Sequence, residues 1–333
     1  MPAIDLLFDQ LLARGQRDLH LAVDSPPMIR VGGELVALRE QPLDADEMAE
    51  LLQPVLTAEQ HERLAAELDL DFAYVHEGHA RFRVSCFHEM AGVAAVFRAI
   101  PTKVPTLAEI GGPSVLRRLS ERRSGLVLVS GPAGSGRSTT MAAMLHHINE
   151  TRACHILSIE SPIELLHTPF KAQVTQRDVG LHASSYAAAL RSAAREDADV
   201  VRVGRLEGAE AIRLALHLAS SGALVLAAID ACGAVAAVEQ LLHAAPEPWQ
   251  PEVRGLLAGS LAGVVSHQLL RAADGAGKVV AYEILVGTSV VADLLREGAT
   301  GQLQAAIEDG QAVGMQTHEA AVERLVAEGR AAG

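Results

Sequence analysis

Apolar positions follow two different rhythms along this chain. In the first hundred residues the rhythm is mixed. Leu6, Leu7, Leu11 and Leu12 recur at helical spacing. His20–Val23 and Ile29–Val31 flank Asp24-Ser-Pro-Pro27 and predict strand, turn, strand. Residues 45–68 predict one helix with Met48, Leu51, Leu52, Val55 and Leu56 on its apolar side and Asp44 or Asp46 as its cap. Asp71–Val75 and Ala80–Phe87 alternate as strands joined at Glu77-Gly78, and Val93–Ile100 is a third. Two prolines in Pro101-Thr-Lys-Val-Pro-Thr106 favour extended chain and mark a linker.

From Leu107 onward strands and helices alternate, as in a wound sheet. Strands are predicted at Leu126–Ser130, His155–Ile159, Val200–Val203 and Leu224–Ile229. Helices are predicted at Ser138–Asn149, Ser184–Ala194, Gly208–Ser220 and Ala234–His243. The Ala-rich tail reads as helical from Pro251 to Leu270 and again from Val290 to Leu325. The fold class is therefore α/β. The expected domains are 1–100, a small α+β unit, a linker at 101–112, and a wound-sheet domain with a helical C-terminal region at 113–333.

The chemistry concentrates at Gly131–Thr140, which reads GPAGSGRSTT. It follows a strand and opens a helix, the setting of a phosphate-binding loop. Gly131, Gly134 and Gly136 let the backbone N–H groups of the loop, including those of Ser135 and Thr139, approach phosphate. The following helix adds its positive N-terminal end. Ser138 offers the hydroxyl that completes a Mg²⁺ shell in such loops. Arg137 stands where the pattern has lysine. It keeps the charge and loses the shape, since a guanidinium is a planar fork able to hold phosphate oxygens bidentately.

Composition narrows the field. With 28 basic against 41 acidic residues the formal net charge is −13, which argues against nonspecific nucleic-acid binding. Cys86, Cys154 and Cys232 have no metal-ligand spacing, so reduced thiols in a cytoplasmic protein are expected. No secretory leader and no apolar run of about 18 residues is evident. Any membrane association then goes through partners.

Several segments, in order and nearly end to end, resemble the PilT family of type IV pilus retraction (twitching motility) ATPases. They are Asp18-Leu-His-Leu21, Ser25-Pro-Pro-Met28, Arg81-Phe-Arg-Val84, Val96–Lys103, Gly125–Pro132, His155–Glu160, Ala194–Asp199, Ala211–Leu216 and Gly314-Met-Gln-Thr317. The resemblance implies a PAS-like N-terminal domain joined to a RecA-like P-loop ATPase domain. It implies ATP or ADP as ligand, a hexameric ring, and a type IV pilus inner-membrane platform as partner. It also makes Arg81, Arg83 and Arg98 candidates to reach a neighbouring subunit's phosphates.

The departures from the family pattern cluster at the catalytic boxes. The acidic box Ile-Glu-Asp-Pro-Ile-Glu appears as Ile159-Glu-Ser-Pro-Ile-Glu164. Glu160 survives as the candidate base or water-positioning carboxylate. The Walker B segment ends Val203-Gly204-Arg205 where the family has glutamate. Ala223 and Asp230 replace the two histidines of the histidine box. The retraction motif appears as Val290–Glu297, with Ala292 at its first arginine position. Hydrolysis needs a metal on the phosphate oxygens and a carboxylate that aims the water. Arg205 reverses the charge beside that metal, so Mg²⁺ is poorly provided for. Arg205 and Asp230 end two strands that a RecA-like topology sets together. They are expected either to pair or to stand as solvated side chains on a cleft rim.

Three functions compete on these grounds. One is a working retraction motor. Another is a nucleotide-binding relative, weak or inactive in hydrolysis, acting as an accessory or regulatory subunit in its own ring or in a mixed ring with an active paralogue. The third is a type II secretion ATPase, which the short N-terminal unit and the missing four-cysteine insert disfavour.

Overall fold

The computed structural model describes residues 3–31, 33–76, 80–100, 103–275 and 277–332. The expected hairpin joint at Glu77-Gly78 and the linker residues Pro101 and Thr102 lie outside the described residues. The chain divides into two units, Met1–Lys103 and Val104–Gly333.

The first unit contains α1 (Ala3–Ala13), β1 (Asp18–Leu21), β2 (Met28–Val31), β3 (Glu34–Ala37), α2 (Ala45–Leu52), α3 (Ala58–Glu67), β4 (Asp69–His76), β5 (Ala80–Glu89) and β6 (Gly92–Ile100). Its six strands form an antiparallel sheet in the order β3-β2-β1-β6-β5-β4. The single helix expected over 45–68 is two. Pro54 follows the end of α2 and brings no N–H for a helix to use. Thr57 then starts α3 afresh with a capping box to Gln60. This aromatic-poor chain places Phe8, Phe82 and Phe97 together in one core, with Phe8 stacked on Phe82 at 4.2 Å.

The second unit contains α4 (Ser114–Ser120), β7 (Gly125–Ser130), α5 (Arg137–Thr151), β8 (His155–Glu160), β9 (Gln173–Asp178), α6 (Tyr186–Ala193), β10 (Val200–Val203), α7 (Ala209–Ser220), β11 (Leu224–Ile229) and α8 (Ala234–His243). It continues with α9 (Gln250–Ser260), β12 (Leu261–Arg271), β13 (Lys278–Val286), α10 (Ser289–Glu297), α11 (Leu303–Asp309) and α12 (His318–Ala327). The seven strands run β13-β12-β7-β11-β10-β8-β9, all parallel except β13. The helical reading of Pro251–Leu270 is corrected here: it holds from Gln250 to Ser260, and β12 follows. Leu261-Ala-Gly-Val-Val-Ser-His is buried on both faces, so it lacks the alternation that marks a one-sided strand. The stretch Val290–Leu325 is likewise broken, with Gly298 and Gly314 ending its turns in left-handed conformation.

Strands β7, β10 and β11 are buried along their whole lengths. Buried apolar layers lie on both faces of the sheet, as a RecA-like α/β domain requires. The strand order sets the carboxyl ends of β7, β11, β10 and β8 side by side. Those ends carry the phosphate-loop sequence, Asp230, Arg205 and Glu160 in turn. Among the described residues no helix is long and apolar enough to cross a membrane.

Candidate nucleotide site

The loop between β7 and α5 has the backbone that its glycines permit. Gly131, Gly134 and Gly136 all have positive φ, at 142°, 76° and 94°. At Gly131 a Cβ would lie 2.6 Å from Ser135 Oγ and 3.0 Å from the carbonyl of His267, so no side chain fits there. Ser135 is buried and its N–H donates to the Pro132 carbonyl at 3.1 Å. Gly136 caps α5, and Arg137, Ser138 and Thr139 form its first turn. The N-terminal end of a fifteen-residue helix therefore faces the loop, a favourable place for phosphate.

His267 on β12 backs this loop. Its Nδ1 lies 3.2 Å from the Ser135 carbonyl, which can only accept, so Nδ1 carries the proton. Burial pushes its pKa down to about 4; the Ser135 carbonyl opposes this and the Arg137 charge adds to it. A neutral imidazole thus props the loop, packed edge-on against Tyr282. A cleft of about 970 Å³ opens beside it, lined in part by Pro132, Ala133, Ser135 and His267.

Arg137 does not lie along the phosphate cradle. Its Nη1 donates to the Ile229 carbonyl at 2.8 Å and forms an ion pair with Asp230. The side chain is 17% exposed, against 42% for Asp230. Asp230 also meets Arg205, whose Nε stands 3.5 Å from Asp230 Oδ2 and 3.1 Å from Glu207 Oε2. The expected pairing of Arg205 with Asp230 is present. Its main feature was not legible: Asp230 binds the loop arginine as well. Arg205 is 60% exposed, so the reversed charge at the end of β10 is solvated rather than buried.

The buried charge on that strand is Arg202, which reading the chain alone overlooked. It is 1% exposed and the largest fully buried side chain described. The signal was a lone cation inside the apolar run Val200-Val-Arg-Val203. Register places Arg202 level with Ser158 on β8 and Gln176 on β9. These three side chains form a polar row on one sheet face and converge on Glu160. Arg202 Nη1 lies 2.8 Å from Glu160 Oε2. Ser158 Oγ and Gln176 Nε2 donate to Glu160 Oε1 at 2.7 and 3.2 Å. Losing one member of a buried pair leaves a charge stranded at about 3–5 kcal/mol. The contact is one of charge rather than direction, since neither Nε nor Nη1 of Arg202 makes a hydrogen bond. His167, also buried, has its pKa lowered to about 4 by burial first and then by Arg202 and His146.

The surviving acidic-box carboxylate is therefore not open to a water in this structure. Glu160 is 2% exposed and both its oxygens are engaged. Any water-aiming role for Glu160 would need its carboxylate to leave these partners when nucleotide binds. The residues also do not fit a Mg²⁺ shell. Ser138 supplies a hydroxyl, but Asp230, Glu207 and Glu160 each already face a guanidinium.

Arg81, Arg83 and Arg98 belong to the first unit. Arg81 and Arg83 alternate on β5, and Arg98 on β6 is the cross-strand partner of Arg83, so all three share one sheet face. Arg83 meets Asp71 at 3.4 Å and Arg98 meets Asp18 at 2.7 Å.

The profile of the type II/IV secretion system protein family matches residues 19–328. The chain is a PilT-type member of that family. It is 40% identical over 316 residues to the type IV pilus retraction ATPase PilT of Pseudomonas aeruginosa, covering 95% of this chain and 92% of that protein. It is 34% identical to the type IV pilus ATPase PilU of the same organism, covering 96% and 84%. A crystal structure of the pilus retraction motor PilT with bound ADP superposes with a TM-score of 0.92. It is 32% identical and is covered to 95%, against all of this chain.

Proposed function

We propose that this PilT-type chain binds ATP or ADP but hydrolyses ATP weakly or not at all, and acts as an accessory or regulatory subunit of a type IV pilus motor. One observation carries the reading: the loop arginine is committed to Asp230, and Arg205 flanks the same carboxylate. The backbone of Gly131–Thr139 would hold the phosphates, helped by the α5 terminus and by Arg137 once it leaves Asp230. Bound nucleotide would supply the phosphate charge that draws Arg137 across. Arg137 and Arg205 would then meet that charge directly, in the place where a metal would otherwise neutralise it.

Membership of the family supports a ring assembly. The subunit works in a hexamer of its own or in a mixed ring with an active paralogue, on the cytoplasmic side of a pilus platform. That PilT and PilU of one organism both resemble this chain supports the coexistence of paralogues. A second reading, a working retraction ATPase, is favoured by the 40% identity to PilT.

Steady-state ATP turnover by the purified chain, beside an Arg137→Lys/Arg205→Glu variant, separates the two. Turnover at the level of an active PilT would end the accessory reading. Calorimetric titration with ADP should give the same affinity with Mg²⁺ as with EDTA. A large gain in affinity from the metal would count against the two-arginine site.

A further inference from the structure

We propose that Arg202 is a positioning residue that withholds Glu160 from the nucleotide pocket, a block to hydrolysis separate from Arg137 and Arg205. The inference rests on the reading that this chain is poor in hydrolysis, and it names a further residue responsible.

Glu160 ends β8, where its side chain could reach the phosphate loop's end of the sheet. Instead its carboxylate folds back one row. Oε1 takes a hydrogen bond from Ser158, two residues earlier on its own strand. Register places Arg202 beside that same Ser158, so the guanidinium pulls the carboxylate inward along the sheet face. Gln176 holds it from the other side and is itself fixed, donating to the Leu165 carbonyl and accepting from the His167 N–H. Aiming a water requires a carboxylate lone pair open to the pocket, and here Oε1 accepts two hydrogen bonds while Oε2 faces the buried Arg202 guanidinium.

Among the described residues, the one neighbour that asks for a cation at this position is the buried Glu160 carboxylate. Val200, Val201 and Val203 are fully buried and apolar, and replacing a buried ion pair by packed apolar side chains is commonly neutral or stabilising. Arg202 is 1% exposed, and its Nη1 stands 2.8 Å from Glu160 Oε2. What Arg202 supplies is charge next to Glu160.

The test uses the full-length chain carrying Arg137→Lys and Arg205→Glu. Arg202→Met is added in one variant and Arg202→Lys in another. The Met variant should raise kcat for Mg-ATP by about tenfold or more over its parent. The Lys variant, which keeps the charge, should not. Adding Glu160→Gln to the Met variant should erase the gain. Affinity for a fluorescent ADP should be equal in all of them, placing the change in kcat. Arg202→Gln takes the place of Arg202→Met if the latter does not fold, judged by its melting curve. The inference is overturned if the parent turns over as fast as the Met variant, if the Lys variant gains as much, or if the gain survives Glu160→Gln. No gain in any variant, with an inert wild type, overturns Arg202 as the block while leaving the accessory reading in place. Brisk turnover by the wild type overturns that reading itself.

Discussion

Neutralising Asp230 should tighten nucleotide binding, although it deletes a charge from the site. Arg137 is held by Asp230 and by the Ile229 carbonyl, so a phosphate must win the guanidinium away from the carboxylate. An exposed ion pair is worth about 0–1 kcal/mol, and a hydrogen bond to a charged group about 1.5–3 kcal/mol. With Asp230 at 42% exposure and Arg137 at 17%, the pair lies between these limits, at roughly 1–2 kcal/mol. Asp230→Asn removes that competition, and 1.4 kcal/mol is a factor of ten. The Kd for ADP should therefore fall about five- to thirtyfold. The assay is fluorescence or calorimetric titration in EDTA at low salt, and the advantage should shrink as salt rises. A general loss of negative charge would give the same direction by another route. In an Arg137→Gln background the latch has nothing to hold, so the gain from Asp230→Asn should nearly vanish. An unchanged or weaker Kd in Asp230→Asn refutes the latch, and an undiminished gain in the Arg137→Gln background reassigns it to the long-range field.

Gly131→Ala should lower stability by about 2–3 kcal/mol and abolish ADP binding, since its φ is 142° and its Cβ would meet Ser135 Oγ at 2.6 Å. Gly134→Ala, with open space around it, should cost only about 1 kcal/mol; chemical denaturation of the two variants compares them. Stability should also fall with acid between pH 6.5 and 4. His167 and His267 have folded pKa values of about 4, set first by burial, so the unfolded chain takes up protons that the folded chain refuses. Their contribution is complete above the unfolded value near 6.5 and shrinks as pH falls toward 4, by up to about 3 kcal/mol each. Urea unfolding at pH 7.5 and 5 measures it. His167→Gln should reduce the fall, and a flat profile in the wild type would contradict it.

The parallel strands were legible because burial on both faces writes an apolar run into the chain. Val200–Val203, Leu224–Ile229 and helix α8 lie where the pattern puts them. The same property hid β12, since a two-sided buried strand and an Ala-rich helix look alike without alternation. The break between α2 and α3 was legible in principle at Pro54 and passed over. At the site, the loop was written in its glycines, while the direction of the Arg137 side chain was not. That direction depends on β11 lying beside β7, which brings Asp230 within reach. Arg202 was hidden by its own strand, because three valines around it outweigh one charge in any count of apolar residues.

The charges at this end of the sheet answer one another. Arg137 meets Asp230, Arg205 meets Asp230 and Glu207, and Arg202 meets Glu160. A hydrolytic site needs the opposite condition, carboxylates left unmatched so that a divalent cation and a polarised water gain by binding there. Here the cations are part of the protein and arrive with the fold. A metal would have to displace a guanidinium and leave it stranded, at Arg202 in a fully buried position. A phosphate has the opposite effect, since it adds negative charge on the side where Arg137 and Arg205 share a single Asp230. On the proposed reading, a site neutralised in this way should discriminate against the metal and in favour of the anion. On that same reading, Arg137, Arg205 and Arg202 act as one set, and undoing any one of them alone should restore little turnover.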